Sequence, residues 1–156
     1  MIITENLILD EDDFLASEIQ SSFLYDDIKT IRFEAEKITG DADEITRMKD
    51  DIQYFFDHIE SIEKLILSYT KKYYREKILP KKDQYKSTFS ITLHEHPGDE
   101  NLMAMLSLNC IYVDLEKSAE SSLGFSFNCD WDPEHGVGIK LISENECNVG
   151  GADIAF

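Results

Sequence analysis

Between Ile45 and Tyr73 apolar side chains recur every three or four residues: Ile45, Met48, Ile52, Phe55, Ile59, Ile62, Ile66, Tyr69 and Tyr73. That period places them on one stripe of an α-helix and leaves the charged residues between them facing solvent. Asp41 followed three residues on by Glu44 resembles a capping box with Asp in the Ser/Thr place. Asp43 and Glu44 suit the positive start of the helix, and Lys71, Lys72, Arg75 and Lys77 suit its negative end. Pro80 is expected to stop it. A continuous helix over this stretch would be about 50 Å long, which predicts a bend near Ser61 or Ser68.

One apolar stripe must be buried against another layer, and the flanking sequence offers strands. The apolar, partly β-branched run 2–9 suits a short strand. Asp10-Glu11-Asp12-Asp13 reads as a solvated acidic turn, and residues 14–25 fit either a short helix or irregular chain. From Ile28 the pattern alternates, with Lys29, Ile31 and Phe33 on one side, so a strand is predicted over 28–38. Phe89, Ile91 and Leu93 alternate likewise and predict a strand over 87–94, before a turn at His96–Asn101. A further strand is expected over 106–113, then a polar connection over 116–122. Near the end, Phe125, Phe127, Cys129 and Trp131 share one face. Pro133-Glu-His-Gly136 turns the chain, and Val137, Ile139 and Leu141 return. Gly136 and Gly138 mark special backbone geometry or a close strand approach. The expected fold is α+β: one long amphipathic helix packed on a largely antiparallel β-sheet with a C-terminal β-hairpin.

At 156 residues, 42% hydrophobic and 11% aromatic, the chain predicts one domain, 1–156, with a substantial core. Within it, 1–27 is an acidic N-terminal segment and 28–156 the core. No apolar run reaches the length of a membrane span, and the first residues lack the basic start and apolar stretch of a signal peptide. A cytoplasmic location is therefore expected. Cys110, Cys129 and Cys147 are odd in number and widely spaced, which fits reduced, buried thiols.

The net charge is −17 and unevenly distributed. Residues 1–63 hold 18 acids and 5 bases, residues 64–90 hold 2 acids and 8 bases, and residues 91–156 hold 12 acids and 2 bases. Such a surface repels nucleic-acid phosphates and anionic membranes and attracts a basic protein, although solubility alone also accounts for high charge. The basic block reads as helix-end complementarity and a solvated Lys81-Lys82 loop.

Two constellations invite an enzymatic reading. Asp130, Asp132, Glu134 and His135 could supply a metal site or an acid–base pair. Strand geometry points Trp131 away from Asp130 and Asp132, and a tight turn uses such residues locally, Asp132 to hold backbone N–H groups and His135 to pack or bond nearby. Asp130, Trp131, Asp132, Glu134, His135 and Gly136 are therefore read as a structural hairpin motif. His94 and His96 would share a face if residues 87–94 are a strand, but only Asp99 and Glu100 lie near as further ligands. The chain carries no G-x-S-x-G elbow, P-loop or dinucleotide fingerprint. No catalytic residue, cofactor or metal is expected.

The early strand, the helix ending in Tyr73-Tyr74, the Trp131-Asp-Pro-Glu-His-Gly136 hairpin and the Gly151-Ala-Asp-Ile-Ala155 ending resemble a bacterial family of uncharacterised domains. The resemblance covers roughly 28–156, with segment 80–123 the least similar. Its members look like immunity or accessory proteins of toxin systems, contact-dependent growth inhibition included. The resemblance implies no catalysis and a cognate toxin C-terminal domain as partner. Charge adds that such a partner is basic, as a nuclease is, and that neither nucleic acid nor membrane is bound; the complex is expected to be a 1:1 heterocomplex. The expected toxin-binding residues are Asp10, Glu11, Asp12, Asp13, Asp26, Asp27, Asp41, Asp43, Glu44, Asp50 and Asp51, with Tyr25 as an aromatic anchor. The alternatives are a small metal-dependent enzyme or accessory protein using the Asp130–His135 hairpin, and a generic interaction domain.

Overall fold

The strands that the sequence announces in the C-terminal third form over 123–129 and 137–143. The computed structural model describes residues 8–156. Among these described residues the sheet has seven strands in chain order: β1 (Leu9–Asp10), β2 (Phe14–Ser21), β3 (Lys29–Glu36), β4 (Leu106–Val113), β5 (Leu123–Cys129), β6 (Val137–Ser143) and β7 (Glu146–Gly150). All neighbours pair antiparallel except β3 and β4, which are parallel through Phe33↔Ile111 and Glu34↔Tyr112. A parallel pair needs a long crossover, and the helical segment between Glu36 and Leu106 supplies it.

Residues 14–21, expected as a short helix or irregular chain, instead form strand β2, second from the β1 edge, with Leu15, Ser17, Ile19 and Ser21 inward. Tertiary pairing with β3 over its whole length decides the matter. The strand expected over 28–38 is β3. Most of the run 2–9 lies outside the described residues.

The crossover begins with α1 (Ala42–Asp57) and α2 (Ile59–Tyr73), a helix of 31 residues interrupted at His58. The bend thus falls at His58 rather than Ser61 or Ser68. His58 has φ −116° and ψ 16°, its ring stacks on Tyr54 at 4.0 Å, and the Ser61 hydroxyl donates to its carbonyl at 2.9 Å. Beyond the break the fully buried seam runs Ile62, Ile66, Thr70, Tyr74 and Ile78, so the stripe drifts off Tyr69 and Tyr73. Strict four-residue spacing rotates about 40° per step around a 3.6-residue helix. Tyr74–Ile78 widens into a π-turn, which brings Tyr74 and Ile78 to the core.

Pro80 does not end the helical path. It lies in a 3₁₀ turn, Leu79–Lys81, where its missing N–H costs nothing, and α3 (Lys82–Phe89) follows. The strand expected over 87–94 is therefore absent. Residues 82–89 are helical, Ser90 ends the helix at φ 57°, and the chain continues without regular structure. The turn expected over 96–101 and the polar connection expected over 116–122 hold short helices, α4 (Asp99–Ala104), which buries Leu102 and Met103, and α5 (Ala119–Ser122).

The core lies between the helices and one face of the sheet, around Phe55. Its ring contacts Phe23, Phe33 and Phe125 at centroid distances of 4.8, 5.4 and 6.2 Å. Among the described residues the 3₁₀ turn Ala152–Ala155 packs on the opposite face across β5 and β6, while exposed Glu18, Gln20 and Glu36 leave that face open to solvent across β2 and β3. That turn packs so tightly that Cβ atoms on Gly124 and Gly138 would fall 1.8 Å from Ala155 O and 2.4 Å from Gly151 O.

Candidate functional site

Strand register gathers acids at one end of the sheet. Phe14 pairs with Glu36, and the parallel β3–β4 register brings Asp114 and Glu116 to that same end. The β1–β2 turn, Asp10–Asp13, is tied there because the Lys37 N–H donates to Asp13 O at 2.9 Å and its ammonium pairs with Asp10. Asp41 and Asp43 follow directly at the start of α1. Asp10, Glu11, Asp12, Asp13, Asp41 and Asp43 are exposed.

Beside these acids the open face of the sheet is hollowed into a groove of about 400 Å³. Glu34, Tyr112 and Lys140 lie along one row of paired residues, with Gly124 between the last two. Phe156 stands over Tyr112 at 4.2 Å, and Phe14 and Ile38 close the other side. Glu34, Glu36, Asp114 and Glu116 add four carboxylates against the two lysines, Lys37 and Lys140. Lys37 is already held by Asp10, and desolvation lowers the Lys140 pKa. Next to the groove, Arg32 is bracketed by Glu34, Glu11 and Glu18 at 2.6, 3.1 and 3.5 Å. The groove therefore combines exposed apolar anchors, among them Phe156 at 72% exposure, with an excess of negative charge.

The residues expected at an interface divide. Glu44 is buried, and its carboxylate turns back to accept from the N–H groups of Ile38, Thr39 and Gly40 and from the Thr39 hydroxyl. The Thr39 contacts lead in holding its pKa down to about 2. Asp41 is the α1 cap, accepting from Asp43 N and Glu44 N at 3.1 and 3.3 Å. Asp51 is also buried, and desolvation pushes its pKa up to about 6, while Arg47 opposes that shift and Asp50 adds to it. Asp50 remains exposed on α1. Asp26 and Asp27 are exposed in the β2–β3 turn, at the far end of the sheet. Tyr25 is half-buried there. Its hydroxyl donates to Leu106 O at 2.9 Å and accepts from Leu108 N at 3.2 Å, on β4 ahead of its first pairing with β3 at Ile111. Glu34, Glu36, Tyr112, Asp114 and Phe156 escaped the sequence reading. The alternation of β3 does mark Arg32, Glu34 and Glu36 as one face, but nothing local marks which strand lies beside it.

In the hairpin, Asp132 holds the turn. Its Oδ1 accepts from the His135 N–H at 3.1 Å and lies 3.0 Å from His135 Nδ1, while its carbonyl accepts from Gly136 N at 2.9 Å. Gly136 has φ 66°. Asp130 and Glu134 are exposed, and Trp131 is buried against Tyr74 with centroids 5.1 Å apart. His94 and His96 are exposed in irregular chain and not on a strand face, since α3 occupies the residues before them. Among the described residues no group of three or more His, Cys, Asp or Glu side chains is arranged to hold a metal ion. Cys110, Cys129 and Cys147 are buried free thiols, pushed up by desolvation to about 12, 11 and 12. No helix among the described residues is long and apolar enough to cross a membrane.

Fold and surface together define an α+β domain with an acidic, apolar-anchored groove on the open side of its sheet. The chain belongs to the family described as Domain of unknown function (DUF6985), whose model matches residues 5–156. No curated protein and no solved structure matches it.

Proposed function

We propose that this protein is a cytoplasmic immunity protein that binds a cognate bacterial toxin domain of basic character and occludes its active site or substrate surface. The observation that carries this reading is the acidic end of the sheet, where Glu34, Glu36, Asp114 and Glu116 line a groove with exposed apolar anchors and the Asp10–Asp13 turn is held beside it by Lys37. A nuclease cleft is positively charged to hold phosphates, so a rigid acidic surface competes for the same groups. Long-range attraction accelerates encounter, and exposed Phe14, Ile38 and Phe156 supply the desolvated contacts that slow release. The resemblance of the Trp131–Gly136 hairpin and Gly151–Ala155 ending to toxin-system proteins points the same way.

The test is a binding and rescue experiment with the toxin C-terminal domain encoded immediately upstream. Tight, salt-sensitive 1:1 binding and restored growth of toxin-expressing cells are expected. No binding, or binding without rescue, overturns the proposal.

A further inference from the structure

The two motifs most prominent in the sequence, Tyr73-Tyr74 and the Trp131–Gly136 hairpin, meet in space although the acidic groove uses neither. Tyr74 packs edge-on against Trp131 at 5.1 Å and donates its hydroxyl to His94 O at 2.6 Å. This contact fixes the hairpin turn beside the end of α3, and a second cavity of about 450 Å³ opens between them. Tyr85, Phe89 and Ile91 form one wall, and Trp131 with the turn Asp132–His135 forms the other. The Tyr85 and Phe89 rings stand 6.0 Å apart at 48°, so their faces are inclined to each other rather than stacked. Phe89 is 59% exposed although it is large and apolar.

Apart from His135, which is already held by Asp132 at 3.0 Å, the charged lining is one-sided. Asp132 and Glu134 are the carboxylates, and no lysine or arginine lines the cavity. The turn uses only Oδ1 of Asp132. The negative field reaches the aromatic wall: the Tyr85 pKa is raised, chiefly by desolvation and then by Asp132. Of the cations on α3, Lys82 is paired with Glu95 at 2.5 Å.

We infer that this cavity binds a small alkylammonium ion. Ring faces present negative potential, which attracts a cation whose charge is spread over methyl or methylene groups. Such a cation loses little hydration on entering an apolar cavity, and the carboxylates of Asp132 and Glu134 balance its charge. A neutral ligand of the same shape gains only the apolar contact. An anion meets two carboxylates. The site is separate from the acidic groove and does not depend on the toxin-binding proposal.

The experiment is an NMR titration of the full chain with choline. Its neutral isostere, 3,3-dimethylbutan-1-ol, serves as control. Saturable shifts are expected at residues 85–91 and 131–135, including the indole N–H of Trp131, the single tryptophan. Affinity on the order of millimolar is expected, with the alcohol about tenfold weaker. Phe89→Ala and Glu134→Gln change exposed residues and leave the Asp132 turn intact. Each should weaken choline binding by about three- to fivefold. No saturable shift, equal binding of the alcohol, unchanged affinity in both variants, or shifts confined to the acidic groove would each overturn the inference.

Discussion

Gly124 lies directly beneath the carbonyl of Ala155, with no room between them for a methyl group. The C-terminal 3₁₀ turn reaches the sheet there and at Gly138, and it carries Phe156 to its place over Tyr112. The hairpin glycines and the Gly-Ala-Asp-Ile-Ala ending are thus one structural unit, and the groove depends on it.

Gly124→Ala is expected to destabilise the fold by about 3 kcal/mol or more, because backbone and not a flexible side chain occupies the space. Gly138→Ala should act in the same direction. Gly98, the α4 N-cap, has nothing within 4 Å of an added Cβ, so Gly98→Ala should lose only cap preference, about 1 kcal/mol or less, and serves as the comparison. Urea denaturation of the three variants measures this.

The buried Asp51 carboxyl is less acidic than in an unfolded chain, about 6 against 3.8, because desolvation penalises its charged form. A raised pKa favours the folded state below the unfolded value and loses that advantage as pH rises through the folded one. Asp51→Asn should therefore be about 1–2 kcal/mol more stable than the parent at neutral pH. The gain should vanish below about pH 4. Equal stabilities across this range would show that Asp51 is solvated.

Glu44 behaves in the opposite sense. Donation from the backbone and hydroxyl of Thr39, with Ile38 and Gly40 adding to it, holds its pKa at about 2 against an ordinary 4.5. Its contribution is complete above the ordinary value and lost as pH falls through the lowered one. Glu44→Gln should unfold at higher pH than the parent in acid titrations followed by circular dichroism. An unchanged acid midpoint would remove Glu44 from the support of the 38–40 turn.

Under the proposed immunity function, charge reversal at Asp10, Asp12 and Asp13 should slow association with the proposed toxin domain by about tenfold and flatten its dependence on salt. Reversal of Asp26 and Asp27, at the other end of the sheet, should change both much less. Stopped-flow kinetics at several ionic strengths separate the two sets. Equal effects would mean that net charge, not the groove end, steers the encounter.

Legibility in the sequence followed the range of the interactions. The helical stripe, strand β3 and the last hairpin were readable because burial on one face imposes a period on neighbouring residues. Residues 87–94 misled because Phe89, Ile91 and Leu93 alternate by spacing while α3 propagates through Phe89 from the preceding turns, past a tolerated Pro80. Strand β2 was obscured because Ala16 and Ser17 blur the alternation, and pairing with β3 settled it. Asp132 could be assigned to its turn because its partners lie within four residues. Glu44 and Asp51 were expected at the surface because nothing local distinguishes a buried acid from a solvated one.

The sequence by itself determined the layers: an amphipathic helix, strands of alternating burial, a tight final hairpin and a surplus of acid. Only the tertiary structure decided which acids stand together. That choice rests on the parallel pairing of Phe33 with Ile111 and on the contact of Ala155 with Gly124. Such contacts between distant segments leave no period in the chain, because their energy depends on packing across the sheet rather than on neighbours along it.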